Sequence, residues 1–418
     1  MADAVVRRRA RVLRGILPVV AALLGTHAAP AAAQQTPVGS LTLSAAMDRA
    51  LAANPTVAAA RLRAGVHTAG LAVASERLNP EVSVELTRET PRRAVGVAVP
   101  LELGGKRTRR IAVSEAAIRT GAAELDAVIA DVRNSVRRAY FEALVADTRV
   151  AVLGEQRMLS QRARDAAQAR FDSGDAPRLE VLQADLALAT VENETTAAEG
   201  LAVAARTRLN ALLGQPLDAH ETLSTSLDVG GALSTASFLD LASRSSAELA
   251  VLDRQLDEQR ARIALAHALR VPDVTPTASL TQSAQPDFDY GWRAGVALSV
   301  PLFTTHSAGV ALEQAAFDQL TALRRATLLR ITGDVTAGTV NAEAQRQAYV
   351  RYRDVILPQA QQVEQLAQAS YELGQTGIAA LLQALQASRD VRLRSLDTIS
   401  LFHTALADLE HAVGVPLP

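Results

Sequence analysis

Gly105 and Lys106 are the residues of this sequence that come nearest to a nucleotide-binding motif. A phosphate-binding loop holds phosphates on its backbone amides and Mg²⁺ on a hydroxyl directly after its lysine. That motif needs glycine at the position of Pro100 and serine or threonine at the position of Arg107. Both are missing, so we interpret this stretch as a structural corner between a strand and a helix.

The histidines and carboxylates predict no metal or catalytic site. His403 and His411 are eight residues apart on a predicted helix, whereas two ligands on one helix face need a spacing of three or four. We interpret both as surface histidines. Asp287 and Asp289 could bind a cation, but acidic residues in an exposed hairpin turn need no such role. Since neither HExxH nor GxSxG occurs, we predict no catalytic residue, no metal ligand and no cofactor, and the chain is not expected to be an enzyme.

Two glycine turns are the most distinctive local features. The segment Phe171-Asp172-Ser173-Gly174 is followed 200 positions later by Tyr371-Glu372-Leu373-Gly374. Other landmarks repeat in the same order: Leu182-Gln183 with Leu382-Gln383 and Gly214-Gln215-Pro216-Leu217 with Gly414-Val415-Pro416-Leu417 at an offset of 200, Val99-Pro100-Leu101 with Val300-Pro301-Leu302 at 201, and Pro80 with Pro272 at 192. Such spacing indicates an internal duplication. The nine-residue difference between the last two offsets predicts a longer second strand hairpin.

Long helices dominate each half. No proline interrupts Lys106 to Phe171, and an uninterrupted helix of that length would extend about 100 Å. Its apolar and small residues alternate in steps of four and three, the period of a coiled-coil seam: Leu125, Ile129, Val132, Val136, Ala139, Ala143, Ala146, Val150 and Leu153. We predict long helices at 105–173 and 307–373, shorter helices at 55–78, 177–213, 248–269 and 378–413 stacked end to end along them, and belt segments at 41–53 and 237–243.

Two predicted strand hairpins precede the long helices. Apolar and polar residues alternate with a period of two at about 81–101 and about 273–302. Each strand would be about ten residues long, the length that crosses an outer membrane when tilted. Four strands cannot close a barrel, so we expect copies of the chain to complete it. A trimer would supply twelve strands.

The first 33 residues are predicted to be a signal peptide. Five arginines precede an apolar stretch, and Ala31-Ala32-Ala33 provides a cleavage site between Ala33 and Gln34. The remaining domains are then a first repeat at 34–217 with a helical hairpin at about 105–213, and a second at 218–418 with a hairpin at about 307–413. Cysteine is absent, and without the signal segment the chain is mildly acidic with no basic cluster, which argues against nucleic acid as a partner.

The sequence resembles the TolC-type outer membrane efflux proteins from Leu41 to Leu417. The resemblance rests on the duplicated layout, on the two glycine turns and on the stretch Pro100-Leu101-Glu102-Leu103-Gly104-Gly105-Lys106-Arg107, which is most similar to the branch serving heavy-metal efflux pumps of the resistance-nodulation-division class. It implies a mainly α fold with a small β part: a homotrimer with a twelve-stranded β-barrel in the outer membrane of a Gram-negative bacterium, continuing into an α-helical tunnel in the periplasm. Implied partners are outer membrane lipid, a periplasmic adaptor (membrane fusion) protein and an inner-membrane pump.

The resemblance also implies roles for residues at the two turns. In this family the residues that flank the tips of the helical hairpins dock to the adaptor and close the tunnel. By position these are Arg170, Phe171, Gly174, Leu179 and Leu182 in the first repeat, and Tyr371, Gly374, Thr376, Gly377 and Leu382 in the second. Gly174 and Gly374 can also be read simply as helix C-caps, and a tip needs such a turn in either case.

The implied function is a passive exit duct of a tripartite efflux system, with heavy-metal cations as one substrate class. A drug or solvent efflux duct and a type I secretion duct remain open as alternatives. A different class, a soluble periplasmic coiled-coil scaffold, would leave the apolar faces of four strands uncovered and would fractionate away from the outer membrane.

Overall fold

The computed structural model describes residues 40–284, 288–300 and 302–417. The predicted signal peptide at 1–33, its cleavage point between Ala33 and Gln34, and Asp287 lie outside these residues. Within them, no helix combines the length and the apolar character needed to cross a membrane.

The elements follow one another in the same order in each half of the chain. The first half contains β1 (Ser40–Leu41), α1 (Leu43–Ala53), α2 (Pro55–Ser75), β2 (Glu81–Leu86), β3 (Arg93–Ala98), α3 (Lys106–Asp172) and α4 (Arg178–Leu213). The second contains β4 (Thr222–Leu223), α5 (Thr235–Ser245), α6 (Ala247–Ala268), β5 (Asp273–Ala284), β6 (Phe288–Ser299), α7 (Ser307–Arg351), α8 (Leu357–Glu372) and α9 (Ile378–Val413).

The duplication is visible in the element bounds. At an offset of 192, α1 falls on α5 and the first residue of α2 falls on the first residue of α6. At 201 the first residue of α3 falls on that of α7, and at 200 α4 falls on α9. Gly105 and His306, equivalent at 201, both have left-handed backbone, with φ of 70° and 55°. The predicted internal duplication is therefore confirmed.

Helix α3 is a 67-residue rod that other helices cover in sections. Of its predicted seam, Val132, Val136, Ala139, Ala143 and Leu153 are buried, and the remaining positions are half-buried. Helices α2, α4, α6 and α9 pack on it, and ion pairs join it to α2 and α4, such as Arg63 with Glu124 and Arg208 with Glu142. Alanine at the middle of the seam lets the backbones approach closely, so packing along one face stabilises a helix that has no compact core of its own.

The corresponding rod of the second half is not continuous, and the prediction of one helix at 307–373 was wrong in this respect. A π-helical turn at Tyr352–Ile356 separates α7 from α8. Pro358 lies in the first turn of α8. Proline has no N–H to bond the carbonyl four residues earlier and its ring clashes with that carbonyl, so the preceding turn widens. Helix α3 contains no proline and remains α-helical throughout.

The four longer strands form one antiparallel sheet in the order β2-β3-β5-β6. The two outer strands therefore come from different halves of the chain. β2 and β3 have six residues each, whereas β5 and β6 have twelve. The predicted uniform strand length of about ten was wrong, because β2 and β3 pair with each other over only six residues and β5 and β6 extend over twelve. The longer second hairpin is confirmed.

Lys106, the only lysine of the chain, lies at the corner between the end of β3 and the start of α3. It is buried, and its Nζ lies 2.7 Å from Oδ2 of Asp273 at the start of β5. The Leu103 N–H donates to the other carboxylate oxygen of Asp273. Gly104 has a φ of 69°, and a Cβ there would lie 2.7 Å from Val271. The corner is thus a structural element that orients the rod relative to the sheet, as the sequence indicated.

Two similar apolar clusters form a belt around the middle of the rods. One joins α1 to α3 and α4 and the other joins α5 to α7 and α9. β1 pairs in parallel with β4 within this belt, and Tyr140 of α3 donates its hydroxyl to the Leu41 carbonyl at 2.7 Å. The segment Ser40–Leu41 thus begins the first half as a strand, and the helical part of the predicted belt segment 41–53 begins at Leu43.

His403 is a buried residue of this belt, and its interpretation as a surface histidine was wrong. It is 3% exposed, and its ring stacks on Phe141 at 3.6 Å between centroids. Neither ring nitrogen has a hydrogen-bond partner among the described residues. Burial, with a smaller contribution from the Arg137 guanidinium, lowers the pKa of His403 to about 3. His411 is more exposed and lies 3.5 Å from Asp131.

The buried neutral His403 predicts a pH-dependent stability that His403→Phe should remove. In the unfolded chain the histidine takes up a proton below about pH 6.5, whereas in the folded chain it stays neutral down to about pH 3. Stability is therefore fully present above pH 6.5 and falls on acidification, by up to about 1.4 kcal/mol per pH unit. Thermal unfolding followed by circular dichroism between pH 7.5 and 4.5 should show a smaller acid slope for His403→Phe, which keeps the stacked ring. Parallel curves for the two proteins would contradict this assignment.

Candidate functional site at the hairpin tips

The turn between α3 and α4 closes the first helical hairpin. Helix α3 ends at Asp172, and Gly174 follows with a φ of 81°. The Asp175 N–H donates to the Arg170 carbonyl at 2.8 Å, and the Gly174 N–H donates to the Phe171 carbonyl at 3.0 Å. This is the Schellman arrangement, which satisfies the last carbonyls of a helix and needs a residue that tolerates positive φ.

The turn between α8 and α9 repeats this geometry. Gly374 has a φ of 74°, and the Gln375 N–H donates to the Ser370 carbonyl at 2.9 Å. Gly377 precedes α9 with a φ of −81°, so its backbone conformation does not require glycine. Its nearest neighbour in the position of a Cβ is Oε1 of Glu180, at 3.8 Å. The two tips therefore share their backbone and differ in their side chains.

The two hairpins pack on each other through one apolar cluster near their tips. Its buried members are Ala163, Ala167, Val181 and Ala184 of the first hairpin, and Tyr371, Ile378, Leu381 and Leu385 of the second. Leu382 is half-buried at its margin. The cluster unites α3 and α4 with α8 and α9, so the tips of one chain form a single packed end.

A polar triad crosses this cluster. Tyr371 is 1% exposed, and its hydroxyl donates to Oε2 of Glu180 at 3.1 Å. The Arg170 guanidinium lies over the Tyr371 ring, 4.9 Å from its centroid. Burial, and secondly the Glu180 carboxylate, raise the pKa of the Tyr371 hydroxyl, so it remains protonated and donates at neutral pH. Arg170 and Glu180 belong to the first hairpin and Tyr371 to the second, so the triad connects the two hairpins directly.

The predicted tip residues divide into an exposed set and a buried set. Phe171, Leu179 and Leu182 present large apolar side chains to the surface, with Leu179 61% exposed. Tyr371 lies inside, and Arg170 and Thr376 are partly buried, with Nη1 and Oγ1 respectively lacking a hydrogen-bond partner among the described residues. Gly174 and Gly374 are exposed in the two turns. The buried set joins the hairpins, and the exposed set is available to a partner.

Sequence reasoning missed several residues that hold this end together. Glu180 has no acidic counterpart in the second half, where Ala380 occupies the equivalent position. Further from the tip, Arg392 pairs with Glu155 of α3 at 3.1 Å and with Glu364 of α8 at 3.2 Å. No motif marks these pairs, because their members are up to 237 positions apart and the pairs are not repeated by the duplication.

Within the described residues, no group of three or more histidine, aspartate or glutamate side chains is arranged to hold a metal ion. The chemistry of this end is therefore that of a packed surface: exposed leucine and phenylalanine side chains around a buried, hydrogen-bonded connection.

Comparisons with known proteins identify relatives of this chain. The family model described as "Outer membrane efflux protein" matches residues 46–215 and 238–415. The chain is 25% identical over 383 residues to the cobalt-zinc-cadmium resistance protein CzcC of Cupriavidus metallidurans, covering 90% of each protein.

Solved structures of outer membrane channels share the fold. The Campylobacter jejuni CmeC outer membrane channel matches with a TM-score of 0.75 and 16% identity, covering 89% of this chain and 85% of that one. CusC matches with a TM-score of 0.73 and 15% identity, covering 89% and 92%. The predicted fold class and the resemblance drawn from the sequence are both confirmed.

The positive φ at the tips predicts a cost for Gly174→Ala and Gly374→Ala. A Cβ in left-handed backbone costs about 1–2 kcal/mol, so each variant should weaken its turn. Hydrogen exchange of the Asp175 amide in Gly174→Ala, and of the Gln375 amide in Gly374→Ala, should accelerate about tenfold. Gly154→Ala is the matched control, because Gly154 lies within α3 with nothing near its Cβ position. Unchanged exchange in both tip variants would show that the turns do not depend on glycine.

Proposed function

The chain belongs to the outer membrane efflux protein family, and from this premise we propose that it is the outer membrane channel of a tripartite efflux system. In this proposal the chain is a passive duct, without catalysis of its own, that extends from the outer membrane of a Gram-negative bacterium into the periplasm. The observation that carries the proposal is that the sheet ends in β2 and β6, and the helical layer in α2 and α7, with no further neighbour in either layer among the described residues. Three copies of the chain form a homotrimer. The partners of this trimer are a periplasmic adaptor and an inner-membrane pump of the resistance-nodulation-division class.

The open edges support the homotrimer. In the sheet, β2 and β6 each have one side without a neighbouring strand among the described residues. In the helical layer, α2 packs on α3, α3 on α6 and α6 on α7, so α2 and α7 lie at the ends of this order. Large apolar side chains are exposed on both, namely Leu62, Val66 and Val73 of α2 and Leu312, Leu323, Leu329 and Val340 of α7. Edges from different halves suit a head-to-tail ring, which closes when each edge meets the opposite edge of the next copy.

The packed tips support a docking end for the adaptor. Exposed apolar side chains rimmed by polar residues are typical of protein interaction sites. Leu179 and Leu182 lie on one face of α4, and Phe171 lies across the turn. Asp172, Asp175 and Arg178, which are close to them in the chain, are exposed as well. A helical adaptor can cover these apolar side chains while leaving the Schellman turns intact.

The triad of Arg170, Glu180 and Tyr371 supports a second role at the same end, that of holding the duct closed. A hydrogen bond to a charged acceptor contributes about 1.5–3 kcal/mol. Because the triad connects the two hairpins of one chain, its loss leaves the apolar cluster and the ion pairs further from the tip to hold them, and the second hairpin moves away from the first more readily. The duct then widens without any change to the sheet.

Heavy-metal cations are the proposed substrate class. The support is the similarity to a cobalt-zinc-cadmium resistance protein along 90% of both chains. The pump and adaptor would select the metal, and the duct would conduct it.

The closing role predicts that Tyr371→Phe increases conductance. This variant keeps the buried ring against Arg170 and removes only the hydroxyl that bonds Glu180. In planar lipid bilayers we expect the purified trimer to conduct weakly and Tyr371→Phe to conduct several-fold more. Glu180→Gln should act in the same direction, and Tyr349→Phe on α7 is the control. Equal conductance of all four proteins would exclude the triad as a closing device.

The docking role and the substrate class can be tested in one strain. A host that lacks its own duct but contains the cognate adaptor and pump should regain tolerance to cobalt, zinc and cadmium when it expresses this chain. Leu179→Glu with Leu182→Glu should lower adaptor capture at least tenfold and abolish tolerance, because a carboxylate in an apolar contact is costly. Leu217→Glu, at an exposed apolar residue away from the tips, is the control.

Each outcome tests a different part of the proposal. Adaptor capture together with restored drug tolerance, but not metal tolerance, would replace the substrate class and keep the duct. Full capture by the double variant would place the adaptor contact elsewhere. Recovery of the protein as a soluble periplasmic monomer would leave the scaffold alternative.

A further inference from the structure

The duplication makes the contact between the two halves of one chain a template for the contact between chains. Within the chain β3 pairs antiparallel with β5, with Ala98 opposite Thr277 and an additional bridge between Leu101 and Val274. At the end of this pairing, Lys106 forms its ion pair with Asp273. β6 is the equivalent of β3, and β2 is the equivalent of β5.

The two offsets that relate these elements are fixed by the structure. From β3 and α3 to β6 and α7 the offset is 201, as the helix starts at Lys106 and Ser307 and the left-handed residues Gly105 and His306 require. From β2 to β5 it is 192, since Glu81 and Asp273 are the first residues of their strands. Adding 201 to the residue numbers of β3 and subtracting 192 from those of β5 converts each residue pair within a chain into a residue pair between chains.

We propose that β6 of one subunit pairs antiparallel with β2 of the next in a single register, in which Ser299 lies opposite the partner subunit's Glu85. The same register sets Leu302 opposite the partner subunit's Val82. The occupant of the open edge is thus a second copy of this chain. This inference rests on the proposed homotrimer and adds the residue pairing at its seam.

The side chains agree with this register. It sets Leu298 opposite the partner subunit's Leu86 and Val300 opposite the partner subunit's Val84, and all four are exposed in the single chain. Ser299 and Glu85 belong to the other, polar face of their strands, as the equivalent pair Ala98 and Thr277 does. A slip by one residue would set polar residues opposite apolar ones along the whole seam, because side chains alternate between faces.

The register also places the start of α7 next to the start of β2 in the next subunit. The residue pair at this corner differs in chemistry from the equivalent pair within a chain. Within a chain, Lys106 meets Asp273. Between chains, the equivalent positions are Ser307 and the partner subunit's Glu81, so a carboxylate remains where the lysine is replaced by serine. Both Ser307 and Glu81 are exposed in the single chain. The seam between subunits therefore lacks the ion pair that closes the seam within each subunit.

The register can be tested directly because the native chain contains no cysteine. The N–H groups of Val99 and Leu101 donate to the carbonyls of Pro276 and Val274, so Ala98 and Thr277 form a non-hydrogen-bonded pair, in which side chains approach most closely. The same holds for Ser299 and the partner subunit's Glu85. Ser299→Cys with Glu85→Cys should form disulfides between subunits on mild oxidation and give dimer and trimer bands on non-reducing gels. Ser299→Cys with Ser83→Cys keeps the same face but is shifted by two residues, so it should give few or none.

Native mass measurement of the oxidised and reduced protein distinguishes the two levels of inference. A trimer that cross-links through residue 83 and not through residue 85 would overturn the register and keep the homotrimer. A trimer that cross-links through neither would overturn the pairing of β6 with β2. A monomer would overturn the proposed function together with the register.

The corner supplies a second and independent readout. Ser307→Lys should create the missing ion pair with the partner subunit's Glu81 and raise the temperature at which the trimer dissociates in detergent by several degrees. Ser307→Lys with Glu81→Gln should lose this gain, which a general effect of lysine at residue 307 would not. An equal shift in the single and the double variant, or no shift in either, would overturn the placement of Ser307 beside the partner subunit's Glu81.

Discussion

Hydrogen bonding at the sheet edges is the constraint on which the rest of the structure depends. Backbone N–H and C=O groups must find partners, most strictly where no water can replace them. Among the described residues, a sheet in the order β2-β3-β5-β6 leaves this need unmet on one side of β2 and one side of β6. Because β2 is equivalent to β5 and β6 to β3, in the proposed homotrimer each edge pairs with the opposite edge of the next copy. The duplication thus converts an incomplete sheet into a unit that can be repeated.

The sheet sets the direction of the helices through the corner at Lys106. Gly104 and Gly105 turn the chain with positive φ, and the ion pair to Asp273 ties the start of α3 to the neighbouring strand of the other half. Beyond that point α3 runs for 67 residues and is stabilised only from its sides. Shorter helices, a belt of two clusters and the packed tips supply this lateral contact. The tips can therefore lie far from the sheet and still be set by it.

Local signals predicted the fold well, and contacts between the halves were the part that sequence reasoning could not supply. Gly174, Gly374, Pro55 and Pro177 act on their own backbone, so the helix ends they mark could be read directly. His403 was misplaced because its burial depends on Phe141, which lies on another long helix. Tyr371 was assigned to the site by resemblance, but its bond to Glu180 spans 191 positions and has no motif. Pro358 was visible in the sequence, but the π-helical turn that precedes it was not predicted.

The halves share a backbone but have diverged at the residues that join them, and this divergence lowers the symmetry of the proposed trimer. Six identical repeats would meet in six identical contacts. Here the contact within a chain has Lys106 where the proposed contact between chains has Ser307. The rod is continuous in α3 but interrupted by a π-helical turn before α8. At the tips, Arg170, Glu180 and Tyr371 correspond to Ser370, Ala380 and Phe171, so the polar triad can form only once per chain. Two kinds of contact alternate around such a ring, and a triad present in only one kind allows that contact to change while the other is kept.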